Sequence, residues 1–206
     1  MSDRPVLQFW HEFASTYSYI AAMRVESAAA AHDVEIAWRP FLLGPIFGAQ
    51  GLTDSPFNVF ADKGRYMWRD MDRLCADYGL PFRKPSAFPR NGLLAARVAM
   101  VGMRDGWGPA YVRSVYTANF VEDHDITDAG VLAPMIMAAG GDPETAFRDA
   151  ASDATKTALR RQTDEAQAKG VFGAPSFITA DGELFWGHDR LDQALAWARK
   201  NHDQGK

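Results

Sequence analysis

The chain has 206 residues, 47% of them hydrophobic, enough to bury a core as one domain or as one domain carrying an insertion. A formal net charge of −4, a pI near 5.7 and no block of consecutive basic residues exclude the electrostatic footprint of a nucleic-acid binder. Met1–Pro5 has no secretory character, no apolar run is long enough to span a bilayer, and Cys75 is a single cysteine, so a cytoplasmic protein without membrane contacts or disulfides is expected.

Val6–Trp10 is rich in aromatic and branched residues and reads as a buried strand, followed by a turn and by helical character from Ile20 to Glu26. Val34–Phe41 alternates apolar and polar residues, the period of a half-buried strand, and pairs in parallel with the first through a right-handed crossover. From Leu42 to Pro56 repeated glycines and prolines predict a loop without a long regular element. Helical spacing then predicts helices over Gly64–Tyr78, stopped by Gly79, and, after a proline-rich connection from Pro81 to Pro89, over Asn91–Gly106, Ala110–Glu122, Asp128–Gly140, Pro143–Ala151 and Ser152–Lys169. Pro175–Ala180 and Glu183–Trp186 flank Asp181-Gly182, a hairpin signal; Gly187–Arg190 is a second turn and Leu191–Lys200 a closing helix. The order βαβ, helices, ββα predicts an α/β fold: residues 1–43 and 169–206 form a small mixed sheet domain, interrupted by an all-helical insertion over residues 44–168.

Chemistry centres on Phe9-Trp10-His11-Glu12-Phe13-Ala14-Ser15-Thr16-Tyr17-Ser18-Tyr19, where strand gives way to helix. The first N–H groups of a helix lack partners inside it and carry partial positive charge, so the position of Ser15 suits an anion such as a thiolate. No cysteine stands there; a sulfur must arrive with a ligand, and Ser15 or Ser18 can donate a hydroxyl hydrogen to it. Equally, Ser15 serves as an ordinary N-cap. Two serines where a dithiol enzyme needs two cysteines exclude self-contained dithiol exchange, and Cys75, mid-helix, reads as a buried structural residue. His11 reads as a proton carrier beside the turn or as a packed strand residue, and no histidine spacing suggests a metal. Trp10, Tyr17, Tyr19, Phe57, Phe60 and Trp68 supply either core or an apolar pocket for an aromatic substrate.

Four segments in order carry a resemblance. Phe13-Ala14-Ser15-Thr16-Tyr17-Ser18-Tyr19-Ile20-Ala21, Lys63-Gly64-Arg65-Tyr66, Gly170-Val171-Phe172-Gly173-Ala174-Pro175-Ser176-Phe177 and Phe185-Trp186-Gly187-His188-Asp189-Arg190-Leu191 resemble the F-x-S-P-Y-S-Y-L-A, K-G-x-Y, G-V-F-G-V-P-T-F and W-G-N-D-R-L segments of the 2-hydroxychromene-2-carboxylate isomerases, relatives of kappa-class glutathione transferases and DsbA-type oxidoreductases. The resemblance spans nearly the whole chain and implies a thioredoxin-like fold with a helical insertion. It implies glutathione as cofactor, Ser15 as the catalytic serine facing its sulfur, a cis bond before Pro175, and contacts to glutathione from Ala174, Pro175, Lys63, Thr53, His188 and Asp189. The implied reaction interconverts 2-hydroxychromene-2-carboxylate and trans-o-hydroxybenzylidenepyruvate, or a similar aromatic-derived keto acid, by reversible thiolate addition; a kappa-like transferase and a non-catalytic thioredoxin-like binding module are the alternatives. A homodimer is expected on the same ground. Thr16 in place of the family's proline, Thr53-Asp54 near its asparagine, and His188 in place of Asn or Ser are departures from the pattern.

Overall fold

The computed structural model describes residues 4–204; Met1–Asp3, part of the opening segment read as lacking a secretory signal, lies outside them. Strand β1 (Val6–His11) is central in a four-stranded sheet. It pairs in parallel with β2 (Glu35–Pro40) and antiparallel with β3 (Ser176–Ile178), which β4 (Leu184–Trp186) extends antiparallel at the edge. Phe9 stands opposite Trp38 on one side and Phe177 on the other, fixing the register. Successive residues of a strand point to opposite faces. Leu7 and Phe9 therefore enter the main core with Phe177 and Phe185, while Trp10 enters a smaller cluster with Phe41, Val171 and Ile178 on the other face.

Helix α1 (Thr16–Ala31) makes the crossover between β1 and β2, and α10 (Leu191–Gln204) closes the chain beside it. The hairpin between β3 and β4 is held to α10 through Asp181, whose carboxylate accepts hydrogen bonds from the Trp197 indole at 3.0 Å and the Asn201 amide at 2.7 Å. Between β2 and β3 run α2 (Leu43–Ala49), α3 (Pro56–Val59), α4 (Ala61–Asp77), α5 (Leu93–Asp105), α6 (Gly108–Phe120), α7 (Ala129–Ala138), α8 (Pro143–Ala151) and α9 (Asp153–Ala168). Several of their starts follow from local chemistry: Asp128, Asp142 and Ser152 cap α7, α8 and α9 with side-chain oxygens. Met67, Tyr111 and Tyr116 from these helices share one core with Phe9 and Ile20. No helix among the described residues is long and apolar enough to cross a membrane.

The segment Leu42–Pro56 has no long regular element, as expected, but it is not all loop: it holds the seven-residue helix α2. Leu43 and Ile46, three apart and hence on one face, bury against Trp10 and Phe41, and that packing overrides a glycine-rich sequence with little intrinsic helix preference. Strands β3 and β4 are also shorter than expected, three residues each, because Thr179 to Glu183 is taken up by the turn.

Gly64 shows how a motif residue serves packing. A Cβ there would run into the backbone carbonyl of Phe57, so only glycine lets the first turn of α4 lie against α3. Gly64→Ala should cost about 1–3 kcal/mol in urea denaturation. Gly48→Ala in α2, where a Cβ meets nothing within 4 Å, should be neutral or stabilising by up to about 1 kcal/mol; equal effects at the two sites would refute the steric account.

Candidate active site

After His11 the chain leaves the sheet through Glu12, Phe13 and Ala14, and Ser15 begins α1 as its N-cap, with extended backbone angles of φ −76° and ψ 115°. The Ser15 hydroxyl accepts a hydrogen bond from the Ser18 N–H at 3.2 Å and donates one to the Ala174 carbonyl at 2.9 Å. Ala174 precedes Pro175 through a cis peptide bond, just before β3. Two segments 159 residues apart thus meet at the positive end of a sixteen-residue helix. Thr16 fills the first helical position with a different anchor: its buried hydroxyl donates to the Met67 sulfur of α4 at 3.2 Å.

Ser15 and Ala174 line a cavity of about 830 Å³, whose wall also includes Thr53 and Lys63, both exposed. The Lys63 ammonium lies 4.8 Å from the centre of the Phe60 ring and forms no ion pair among the described residues, which leaves it available to an anionic ligand. Aromatic rings form much of the remaining wall, including Tyr17, Phe57, Phe88, Phe172 and Trp186. Phe172 and Trp186 stand 4.9 Å apart and half exposed, and Gly173 between Phe172 and Ala174 leaves room for the Trp186 indole. Trp10 and Tyr19, in contrast, are core residues.

The structure thus gathers Ser15, Thr53, Lys63 and Ala174 around one space; Pro175, His188 and Asp189 are not on its wall. Pro175 is buried beside Ala174. His188 stacks face to face on Tyr17 at 5.4 Å and 6°, and burial lowers its pKa below the usual 6.5, so it is a neutral ring backing a wall residue. Tyr17 in turn donates to Asp70 at 3.0 Å. Asp189 is exposed, 3.7 Å from Arg190 in the short 3-10 turn His188–Arg190.

His11 is fully buried among Phe9, Phe13, Trp38 and Tyr116, away from the cavity wall. Desolvation pushes its pKa down to about 3, so it is a packed, neutral residue at pH 7. Cys75 is buried as expected, its thiol pushed up to about 11 by desolvation. Sequence reasoning passed over Glu12, which does line the cavity. The residue is 8% exposed; its carboxyl accepts the Ala14 N–H at 2.9 Å and is driven up from 4.5 to about 7 by desolvation, against the Ala14 and Ser15 N–H groups of the turn, which favour the anion. Arg90 and Asn119 were also passed over. The Arg90 guanidinium, on the wall, donates to the Asn119 side-chain oxygen at 2.9 Å, and the Asn119 amide donates to the Phe13 carbonyl at 3.0 Å. The same guanidinium pairs with Asp123, whose carboxyl is held down near 2 by the Ser86 N–H and by Arg90. The turn ahead of Ser15 is therefore clamped from α6.

A family model described as a DSBA-like thioredoxin domain matches residues 6–196. The chain belongs to this family. Within it, the chain is 26% identical to the 2-hydroxychromene-2-carboxylate isomerase of Sphingobium xenophagum, over 90% of this chain and 94% of that one. It is 26% identical to glutathione S-transferase kappa 2 of Caenorhabditis elegans, over 94% of this chain and 91% of that one. Its fold superimposes on a solved 2-hydroxychromene-2-carboxylate isomerase with a TM-score of 0.84 at 24% identity, covering 98% of this chain and 100% of the other. This DsbA-like chain has the thioredoxin-like architecture that its four motifs imply, with serine at the start of α1.

The environment of Glu12 makes stability pH-dependent. Its folded pKa lies above the unfolded value, so the folded state binds more protons between pH 4.5 and about 7 and loses stability as pH rises through that window. At about 1.4 kcal/mol per tenfold change in proton affinity, holding the ionised carboxyl in the fold costs on the order of 3 kcal/mol above pH 7. Glu12→Gln should therefore match the wild type near pH 4.5 and exceed it increasingly up to pH 7 in urea denaturation; a gap that is constant or shrinks with pH would remove the desolvation argument.

Proposed function

We propose that this chain is a glutathione-dependent isomerase that interconverts 2-hydroxychromene-2-carboxylate and trans-o-hydroxybenzylidenepyruvate, or a similar aromatic-derived keto acid. The observation that carries the reading is the Ser15 hydroxyl at the start of α1, 2.9 Å from the Ala174 carbonyl and on the wall of the cavity. The donor set fits the cofactor: a hydroxyl hydrogen and a positive helix end suit a sulfur anion, the backbone at Ala174 suits a peptide, and the Lys63 ammonium suits a carboxylate. At about 830 Å³ the cavity lies in the upper part of the range that holds drug-sized ligands. Its aromatic wall suits a ring-bearing substrate.

Held by Ser15, Ala174 and Lys63, glutathione would supply a thiolate for reversible addition to the unsaturated keto acid, chemistry that turns a double bond into a freely rotating single bond without net redox change. The chain's part is to stabilise and orient. Ser15 redirects its hydroxyl hydrogen from the Ala174 carbonyl to the sulfur, and the N-terminus of α1 favours the anion, lowering the thiol pKa. Tyr17, held by Asp70 and backed by His188, keeps one aromatic face of the cavity rigid.

Purified protein should interconvert the two isomers with catalytic amounts of glutathione and stop when it is omitted. Ser15→Ala should lower kcat/KM by about 10- to 200-fold, the loss of a hydrogen bond to a charged group worth roughly 1.5–3 kcal/mol. Full turnover by this variant, or turnover without glutathione, overturns the proposal. The kappa-class relative motivates a second reading, transfer of glutathione to an electrophile; consumption of one glutathione per turnover would select it.

A further inference from the structure

Glu12 is a titratable group on the cavity wall that the proposed reaction has not used. Its Oε2 accepts the Ala14 N–H at 2.9 Å and its backbone carbonyl accepts the Ser15 N–H at 3.1 Å, so it occupies the same turn as the Ser15 hydroxyl. Gly92 flanks it: an ideal Cβ there would lie 3.1 Å from Oε1, so a glycine lets that segment pack closely against the carboxyl. The titratable groups around it come from four segments. Tyr116 of α6 donates to the Glu12 backbone carbonyl, not to the carboxyl, and His11 of β1 is neutral. Arg90, from the connection before α5, is committed to Asn119 and Asp123. Lys63 shares the cavity wall and forms no ion pair with Glu12. Glu12 is thus a buried carboxyl without a cation, beside the place an anion enters.

We propose that Glu12 is the proton acceptor for a sulfur lodged at Ser15. The S–H bond of the incoming thiol breaks, an O–H bond forms on the Glu12 carboxylate, and the proton returns to sulfur when the ligand leaves. One negative charge then occupies the turn at a time, on sulfur or on Glu12, because two adjacent anions in a desolvated site are mutually destabilising. The assignment rests on the glutathione reading and makes a prediction of its own. A ligand with a permanent negative charge at the sulfur position must bind the Glu12-protonated form, and so must take up a proton from solvent.

Calorimetric titration in buffers of different ionisation heat measures that uptake, with glutathione sulfonate as the permanently anionic probe and S-methylglutathione as the probe with neutral sulfur; the other titrating groups are common to both. On the wild-type protein at pH 8 the sulfonate should take up about one proton more than the thioether, and its affinity should fall toward tenfold per pH unit above pH 7. In E12Q the two probes should show parallel pH profiles and no excess uptake. Equal profiles for the two probes on the wild type, or a sulfonate profile unchanged in E12Q, overturn the assignment of Glu12 while leaving the cofactor reading standing. Failure of both probes to bind overturns the cofactor reading and this inference with it. The wild-type comparison decides the matter even where the variant does not fold.

Discussion

The hydrogen bond from the Ser15 hydroxyl to the Ala174 carbonyl closes the sheet end of the molecule, and the candidate site depends on it. It joins the exit of β1 to the entry of β3, two strands adjacent in the sheet whose ends are separated in sequence by the whole run of helices from α2 to α9. Central placement of β1 between a parallel and an antiparallel neighbour makes this meeting obligatory: once Phe9 is in register with Trp38 and Phe177, the residues beyond each strand end are brought to the same edge. A hydroxyl satisfied by a neutral carbonyl is also a hydroxyl that an arriving anion can recruit, since charge-assisted hydrogen bonds are about twice as strong as neutral ones. The contact therefore holds the site together without locking it.

The helices between β2 and β3 supply the rest of the site's rigidity. Arg90 and Asn119 fasten the Phe13 carbonyl, Thr16 reaches Met67, and Tyr116 donates to the Glu12 carbonyl at 2.9 Å, so the start of α1 is held by α4 and the turn ahead of it by α6 and the connection before α5. The Arg90–Asp123 pair joins a buried arginine to a partly exposed carboxylate that also meets Arg83 and Ser86. Its importance to the site is indirect: it holds Arg90 in the geometry that orients Asn119.

The strand-helix-strand opening, the hairpin and the main helices were legible in the sequence because each buries one face, and burial of one face writes a period into the chain. The position of Ser15 was legible for a related reason, since a strand-to-helix transition leaves unpaired N–H groups at a predictable place. Helix α2 was hidden because its glycines and proline carry turn chemistry, while the Leu43 and Ile46 contacts that stabilise it come from Trp10 and Phe41 across the fold. Glu12 was hidden for the opposite reason: nothing in a glutamate's letter tells whether it is solvated. Burial of the turn beneath the Gly92 segment makes the difference, and that is a tertiary property.

The treatment of Arg90 and Glu12 separates a structural carboxyl from a functional one. Both border the cavity, and an arginine beside a buried carboxylate is the cheapest way to keep that carboxylate ionised. The fold directs Arg90 instead to Asp123, whose carboxyl the Ser86 N–H and Arg90 together hold down near 2, and leaves Glu12 to desolvation, which drives it up to about 7. Asp123 therefore stays charged throughout the physiological range and can only anchor. Glu12 changes charge within that range, and it does so beside the hydroxyl and helix end that attract an anion. Stability alone would be better served by glutamine, whose amide carries no charge to desolvate. A carboxyl kept at a cost in stability, unpaired and on the wall of a cavity lined by aromatic rings, is what proton transfer to a bound ligand requires.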